Sequence, residues 1–255
     1  PRAAARPTRG RAGKAEAGRT VLQAARSAGV RIPTLCDHPA LEPWGGCRLC
    51  LVEISKAGWT GDGRVVASCM YPVEEGLAVR TDSPIVAESR RTVIDLLLAR
   101  CPDTPVVQDL AREHGIERTS LVPNPTPTDC ILCGLCTRVC DLVGASAISS
   151  VNRGAGREIA PPFDQPPPDC IGCLACAEIC PTNYIPFEAS DGTRSIWGRT
   201  FEMQRCAECG EAVVTRAQVA HEEKRHGLPA AYFELCEACK RRRLAGTFTA
   251  LQDAR

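Results

Sequence analysis

Material for a conventional apolar core is scarce, since 255 residues hold only three Trp, three Tyr and five Phe. Long apolar runs are missing as well. The longest aliphatic stretch lies within VIDLLLA, residues 93–99, far short of the roughly 20 residues needed to cross a bilayer as a helix. The sequence therefore predicts no membrane span. Charge of one sign is lacking too: 31 Lys and Arg stand against 30 Asp and Glu, for a net charge of +1. That balance offers no electrostatic footprint for nucleic acid or an acidic membrane surface. There is no secretory hydrophobic region and no flavin or nucleotide fingerprint. The expectation is a soluble, cytoplasmic chain with no NAD(H) site of its own.

Cysteine is abundant. Seventeen of them, an odd number, occur largely in CxxC pairs, which points to metal ligation in a reducing compartment rather than to a disulfide framework. Bound cofactors then replace part of the missing hydrophobic stabilisation. A chain of this length suits two or three small domains better than one large enzyme core.

Five segments are expected, in an α+β arrangement. Residues 1–18, with PRAAARPTRGRAGK, read as a flexible basic arm. Residues 19–82 read as a small mixed domain: a short helix over RTVLQAARSAGV stopping at Gly29, a loop into the strand Leu51 to Ile54, the turn KAGWTGDGR, and returning strands in VVASC and GLAVR. Residues 83–124 open with Ser83 as N-cap and Pro84 in the first helical position, and Ile85, Val93, Leu96 and Leu97 form the expected apolar stripe. A second helix over 106–116 and the linker VPNPTPTD follow. Residues 125–190 carry two cysteine repeats, with LVGASAI expected to continue a helix after the first. Residues 191–255 form a four-cysteine, zinc-ribbon-like module.

The repeats are DCILCGLCTRVC, residues 129–140, and DCIGCLACAEICP, residues 169–181. This is the CxxCxxCxxxC pattern of two-cluster ferredoxins, in which three thiolates wrap one cubane and the fourth reaches the other cluster. On that pattern Cys130, Cys133, Cys136 and Cys180 hold one 4Fe-4S cluster, and Cys170, Cys173, Cys176 and Cys140 hold its mate. Pro181 turns the chain away after the last thiolate. Upstream, Cys36, Cys47, Cys50 and Cys69 have a long loop, a close pair and a distant strand cysteine. That layout suits a plant-type 2Fe-2S site, with a longer spacing before the close pair; a structural zinc is the alternative. Gly45 and Gly46 are expected to let the backbone approach inorganic sulfide, and His38 to be a supporting or surface residue. Cys206, Cys209, Cys236 and Cys239 form two separated CxxC pairs suited to zinc, with a further iron-sulfur cluster as the rival. His221 and His226, on the polar helix between the pairs, are expected to be solvated. The KRRR run, residues 240–243, reads as a solvated face suited to an acidic patch on a partner. Cys101 is left over as an apolar residue at a helix end.

From VLQAARSAGVRIPTLCDHPALEPWGGCRLCLVEI through CPTN, the chain resembles a known N-terminal iron-sulfur region. That region is shared by the large peripheral-arm subunit of complex I, the diaphorase iron-sulfur subunit of bidirectional nickel-iron hydrogenases, iron-only hydrogenases and NAD-linked formate dehydrogenases. The resemblance implies a β-grasp 2Fe-2S domain, a helical segment and a two-cluster 4Fe-4S ferredoxin domain. Two departures stand out. Many relatives carry a further His-x3-Cys-x2-Cys-x5-Cys set after the first helix, where this chain has RCPDTPVVQDLAREHG, so that cluster is expected to be absent. The first β-grasp strands are also hard to discern before Arg19. The implied function is a non-catalytic electron-transfer subunit of a hetero-oligomer. It would join a flavin/NAD(H)-binding subunit to a catalytic oxidoreductase subunit, either a hydrogenase, a formate dehydrogenase or a tungsten/molybdenum enzyme. A free-standing ferredoxin-like carrier and a cluster-stabilised scaffold are the other readings.

Overall fold

The structure is a computed structural model that describes residues 15–61, 63–190 and 192–253, with side chains described to residue 246. Most of the expected basic arm, residues 1–14, lies outside the described residues. The chain divides into two units at Pro127/Thr128, inside the proline-rich linker.

In the first unit, Thr20 caps helix α1 (Val21–Ser27) through a reciprocal bond with Gln23, and Gly29 takes the left-handed conformation that ends it. Strands β1 (Leu51–Lys56), β2 (Arg64–Ala67) and β3 (Leu77–Arg80) form an antiparallel sheet in the order β2-β1-β3. Before Arg19 no strand occurs among the described residues; Thr20 makes one antiparallel bridge to Pro72. Val21, Leu22, Ile32, Val52 and Ile54 pack with Cys50 and Cys69 into the core of this sheet.

Helices α2 (Pro84–Arg100) and α3 (Pro105–Glu113) follow. The buried stripe of α2 is Val86, Arg90, Ile94 and Leu98, not the expected one. Ile85 and Leu96 are 50% and 55% exposed. The face turns because Arg90, only 8% exposed, inserts its guanidinium among carbonyls: Nε donates to Leu49 O at 3.1 Å, and Nη2 to Leu51 O at 2.8 Å and Thr81 O at 3.3 Å. Ser83 occupies the N-cap position without making a side-chain capping bond. Cys101 is fully buried and closes α2 through its N–H to Leu97 O.

In the second unit, helix α4 (Leu135–Val143) stops at Gly144, φ 83°. The expected continuation through LVGASAI does not occur. The N–H groups of Gly144, Ala145 and Ser146 all fold back on Cys140 O, and the chain enters a small ladder of β4 (Ser149–Val151) with β5 (Glu158–Ala160). The second repeat forms only the short α5 (Ala175–Glu178). Beyond it, β6 (Phe187–Ser190), β7 (Thr193–Ile196), β8 (Arg199–Arg205) and β9 (Ala212–Thr215) make one antiparallel sheet. The boundary expected at 190/191 falls between β6 and β7, which pair through Ser190 and Thr193. One sheet thus runs from the second cysteine repeat to the C-terminal cysteine tetrad. Helix α6 (Arg216–His226), capped by Thr215, and helix α7 (Glu237–Asp253) complete the unit. No helix among the described residues is long and apolar enough to cross a membrane.

Arg90→Met would keep the apolar stem and strand the three carbonyls. It is expected to lower unfolding free energy by about 2–4 kcal/mol, read as an earlier urea midpoint by circular dichroism; an unchanged midpoint would show that water replaces the guanidinium at no cost.

Candidate functional site

Cys36, Cys47, Cys50 and Cys69 come together in the first unit, each 9% exposed or less. The pairing of Leu51 with Ala67 sets Cys50 beside Cys69, with their sulfurs 3.4 Å apart. Fully buried Ser68 locks this register: its Oγ–H and N–H both bind Cys50 O, at 2.7 and 3.0 Å. On the loop, Cys47 N–H donates to Cys36 Sγ at 3.3 Å and Leu35 N–H to Cys47 Sγ at 3.4 Å. Gly45 and Arg48, with φ of 66° and 59°, provide the left-handed turns that make this wrap possible. The thiols form two pairs. A hydrogen bond from Cys47 lowers Cys36 to about 6, a bond from Cys69 lowers Cys50 to about 6, and each donor is raised by the same bond. Each pair therefore holds one negative charge readily and accepts the second only beside a cation.

The role of Gly46 differs from the expected one. A Cβ there would lie 2.5 Å from Trp44 Cδ1, so the glycine makes room for an indole. His38 Nδ1 accepts from Ala40 N–H at 3.2 Å, a local turn contact.

The two repeats share one backbone design. Left-handed residues stand at equivalent positions in both: Leu132 and Gly134 in the first, Gly172 and Leu174 in the second, with φ of 55°, 71°, 66° and 65°. Such turns direct successive N–H groups inward and form a concavity for an anionic group. Non-glycine residues hold this conformation only under constraint from their surroundings. Cys140, Cys170, Cys173 and Cys176 line one cleft together with Ile148, Ile171, Leu174, Ile196 and Trp197. Cys136 lies within electrostatic range of Cys130, Cys133 and Cys176, and Cys180 Sγ lies 3.4 Å from Thr182 Oγ1. Burial raises the Cys136 thiol to about 12 and the Cys176 thiol to about 11. Without a cation these thiols stay protonated at neutral pH. Buried thiols around inward-facing amides fit iron-sulfur clusters.

Several residues that the sequence did not single out hold the second loop. Arg199 Nη1 donates to Pro167 O and Cys170 O, both at 2.8 Å, and Arg194 Nη1 to Gly172 O at 2.9 Å. Thr215, fully buried, donates through Oγ1 to Ile171 O at 2.5 Å. The alternation in RTFEMQR marks a strand but not its docking site. His221 is not simply solvated, because its Nε2 lies 3.0 Å from Val143 O at the end of α4.

The last four cysteines also converge. Cys206 and Cys209 sit in the β8–β9 turn, Cys236 and Cys239 at the start of α7, and all four sulfurs lie within 4.8 Å of one another. Backbone N–H groups at Cys236 and Cys209 lower the Cys206 thiol to about 6. The KRRR run is partly engaged here: Lys240 Nζ sits 3.9 Å from the Tyr232 ring centroid, Arg243 pairs with Glu208, and Arg242 Nη2 approaches Cys239 Sγ at 3.7 Å.

Gly172→Ala tests how closely the sheet is packed on the second loop. Its Cβ would lie 2.6 Å from Phe201 Cδ2 and 3.0 Å from Thr215 Cγ2, on a residue with φ +66°. A cost of about 2 kcal/mol is expected, seen as iron lost from the second unit on mild heating while absorbance from the first unit persists. Equal retention by variant and wild type would show that the loop tolerates the displacement.

Residues 9–84 match the family described as the 2Fe-2S iron-sulfur cluster binding domain. The second G-type subunit of the NADH-quinone oxidoreductase of Rhizobium meliloti (strain 1021) is 33% identical over 196 residues, covering 67% of this chain and 22% of that protein. The alpha subunit of the NADPH-Fe(3+) oxidoreductase of Geobacter sulfurreducens (strain DL-1 / KN400) is 34% identical over 190 residues, covering 65% of this chain and 22% of that protein. A solved NAD+-reducing NiFe hydrogenase in the H2-reduced state aligns with a TM-score of 0.49 and 34% identity, over 56% of this chain and 68% of that one. The chain spans about a fifth of the length of the curated relatives it matches. Residues 9–84 belong to the 2Fe-2S iron-sulfur cluster binding domain family, and the similarity to the Rhizobium NADH-quinone oxidoreductase protein extends well beyond that domain, over 67% of the chain.

Proposed function

We propose that this chain is an iron-sulfur electron-transfer subunit of a hetero-oligomeric oxidoreductase. It carries single electrons between a flavin- or NAD(H)-handling partner and a catalytic subunit such as a hydrogenase, a formate dehydrogenase or a tungsten/molybdenum enzyme. The observation that carries the reading is the gathering of buried and half-buried cysteines beside left-handed turns in both units. Relatives named as subunits of NADH-quinone and NADPH-Fe(3+) oxidoreductases support it. Bound clusters supply one-electron chemistry; the protein sets their potential through burial and N–H···S bonds.

Cys36, Cys47, Cys50 and Cys69 would hold a 2Fe-2S cluster. Cys140, Cys170, Cys173 and Cys176 would hold one 4Fe-4S cluster, a grouping favoured by their shared cleft. Cys130, Cys133 and Cys136, with Cys180 as fourth ligand, would hold the other. The C-terminal tetrad suits a single zinc ion. Tetrahedral zinc with Zn–S bonds of about 2.3 Å sets its sulfurs roughly 3.8 Å apart, and Cys209 and Cys236 stand at 3.7 Å. A cubane interposes irons and sulfides and holds its thiolates further apart. This module therefore holds shape and does not conduct.

Anaerobically reconstituted protein is expected to contain about 10 irons and about one zinc per chain. Iron near six would remove one cubane, and iron near fourteen would make the C-terminal site another. Cys206→Ser with Cys209→Ser should abolish zinc and spare iron in metal analysis. The isolated, flavin-free chain should not reduce a dye with NADH; substantial turnover would overturn the reading of a chain without its own nucleotide site.

A further inference from the structure

The β7–β8 turn contains a residue whose conformation needs a reason. Trp197 has φ 53° and is followed by Gly198 at φ 72°, two consecutive left-handed residues in a two-residue hairpin. A bulky aromatic side chain is a poor choice there, where asparagine or glycine serves without strain. The indole is nevertheless part of the wall of the cleft formed by Cys140, Cys170, Cys173 and Cys176. Its Nε1 atom is buried and has no hydrogen-bond partner in the protein. The indole N–H lies close enough to the Cys176 sulfur to favour its thiolate, yet outside hydrogen-bond geometry. The same strand pair presents a second such donor, Arg194, whose Nε is buried and unsatisfied while its Nη1 binds Gly172 O. A buried, unpaired N–H destabilises the fold unless something accepts it. Here the backbone is strained as well.

We infer that Trp197 is a positioning residue for the cluster at Cys140, Cys170, Cys173 and Cys176: its indole N–H donates to a sulfur of that cluster and raises its reduction potential. The inference rests on the assignment of a 4Fe-4S cluster to those thiols. Reduction adds negative charge to the cluster, so a fixed N–H dipole aimed at a sulfur stabilises the reduced form more than the oxidised form. Arg194 adds a positive charge to the same loop. The donors belong to the sheet that follows the second repeat, so this tuning acts on one cluster and leaves the other to its own surroundings.

Trp197→Phe keeps the ring and removes the donor. At a fixed applied potential the reduced-to-oxidised ratio of one 4Fe-4S cluster is expected to fall about tenfold, a shift of about 59 mV to more negative potential for a one-electron couple. The other clusters should titrate as in wild type. An unshifted potential with both clusters intact would overturn the inference. Since the turn is strained and the variant could fail to assemble, wild-type protein labelled with indole 15N offers an independent measurement. The reduced 4Fe-4S spectrum should show a 15N hyperfine coupling that persists when Trp44 and Trp59, the other two tryptophans, are phenylalanine. An intact 4Fe-4S signal without that coupling sinks the inference alone; absence of any 4Fe-4S signal from the reconstituted wild type sinks the cluster assignment and the inference with it.

Discussion

A buried thiol is stable, but a buried thiolate is not unless a cation shares its charge, and the organisation of both units follows from that constraint. Burial, reinforced by neighbouring cysteines, holds Cys136 and Cys176 near the neutral form. In the first unit, hydrogen bonding leaves each cysteine pair with one easy charge and one difficult one. A bound cation would relieve both situations. A chain with few aromatic side chains can then use metal ligation where another protein would use a larger apolar core.

Around the thiols, the fold supplies the polar groups that a tightly wound cysteine loop cannot provide for itself. Loops that turn their amides inward leave carbonyls pointing outward, and those carbonyls need donors. Arg90 serves the segment flanking Cys50, while Arg194, Arg199 and Thr215 serve the segment around Cys170 and Cys173. All reach across from elements outside the cysteine motifs. The motifs are short, and the structure that keeps them in shape is much larger than they are.

That division explains what was legible in the sequence. The convergence of Cys36, Cys47, Cys50 and Cys69, and of the C-terminal tetrad, was legible because CxxC spacing is local, and α1, α2 and α3 could be read from prolines and glycines at their ends. The buried face of α2 could not, because a charged residue at its centre counts against burial in any pattern of apolar positions, and only the carbonyls beside Cys50 make Arg90 an inside residue. The helix expected through LVGASAI failed because Gly144 is a stop signal whose strength depends on Cys140 O accepting from the residues after it. The continuity of β6 to β9 was hidden because the expected boundary falls between two strands that pair, Ser190 with Thr193.

The shared left-handed positions, Leu132 with Gly134 and Gly172 with Leu174, give the two repeats one backbone design. Their likeness is broken from outside. Phe201 and Thr215 press on Gly172, and His221 caps the end of the helix that follows the first repeat. The two halves therefore sit in unlike surroundings, and a duplicated motif acquires polarity without any change in its own cysteines.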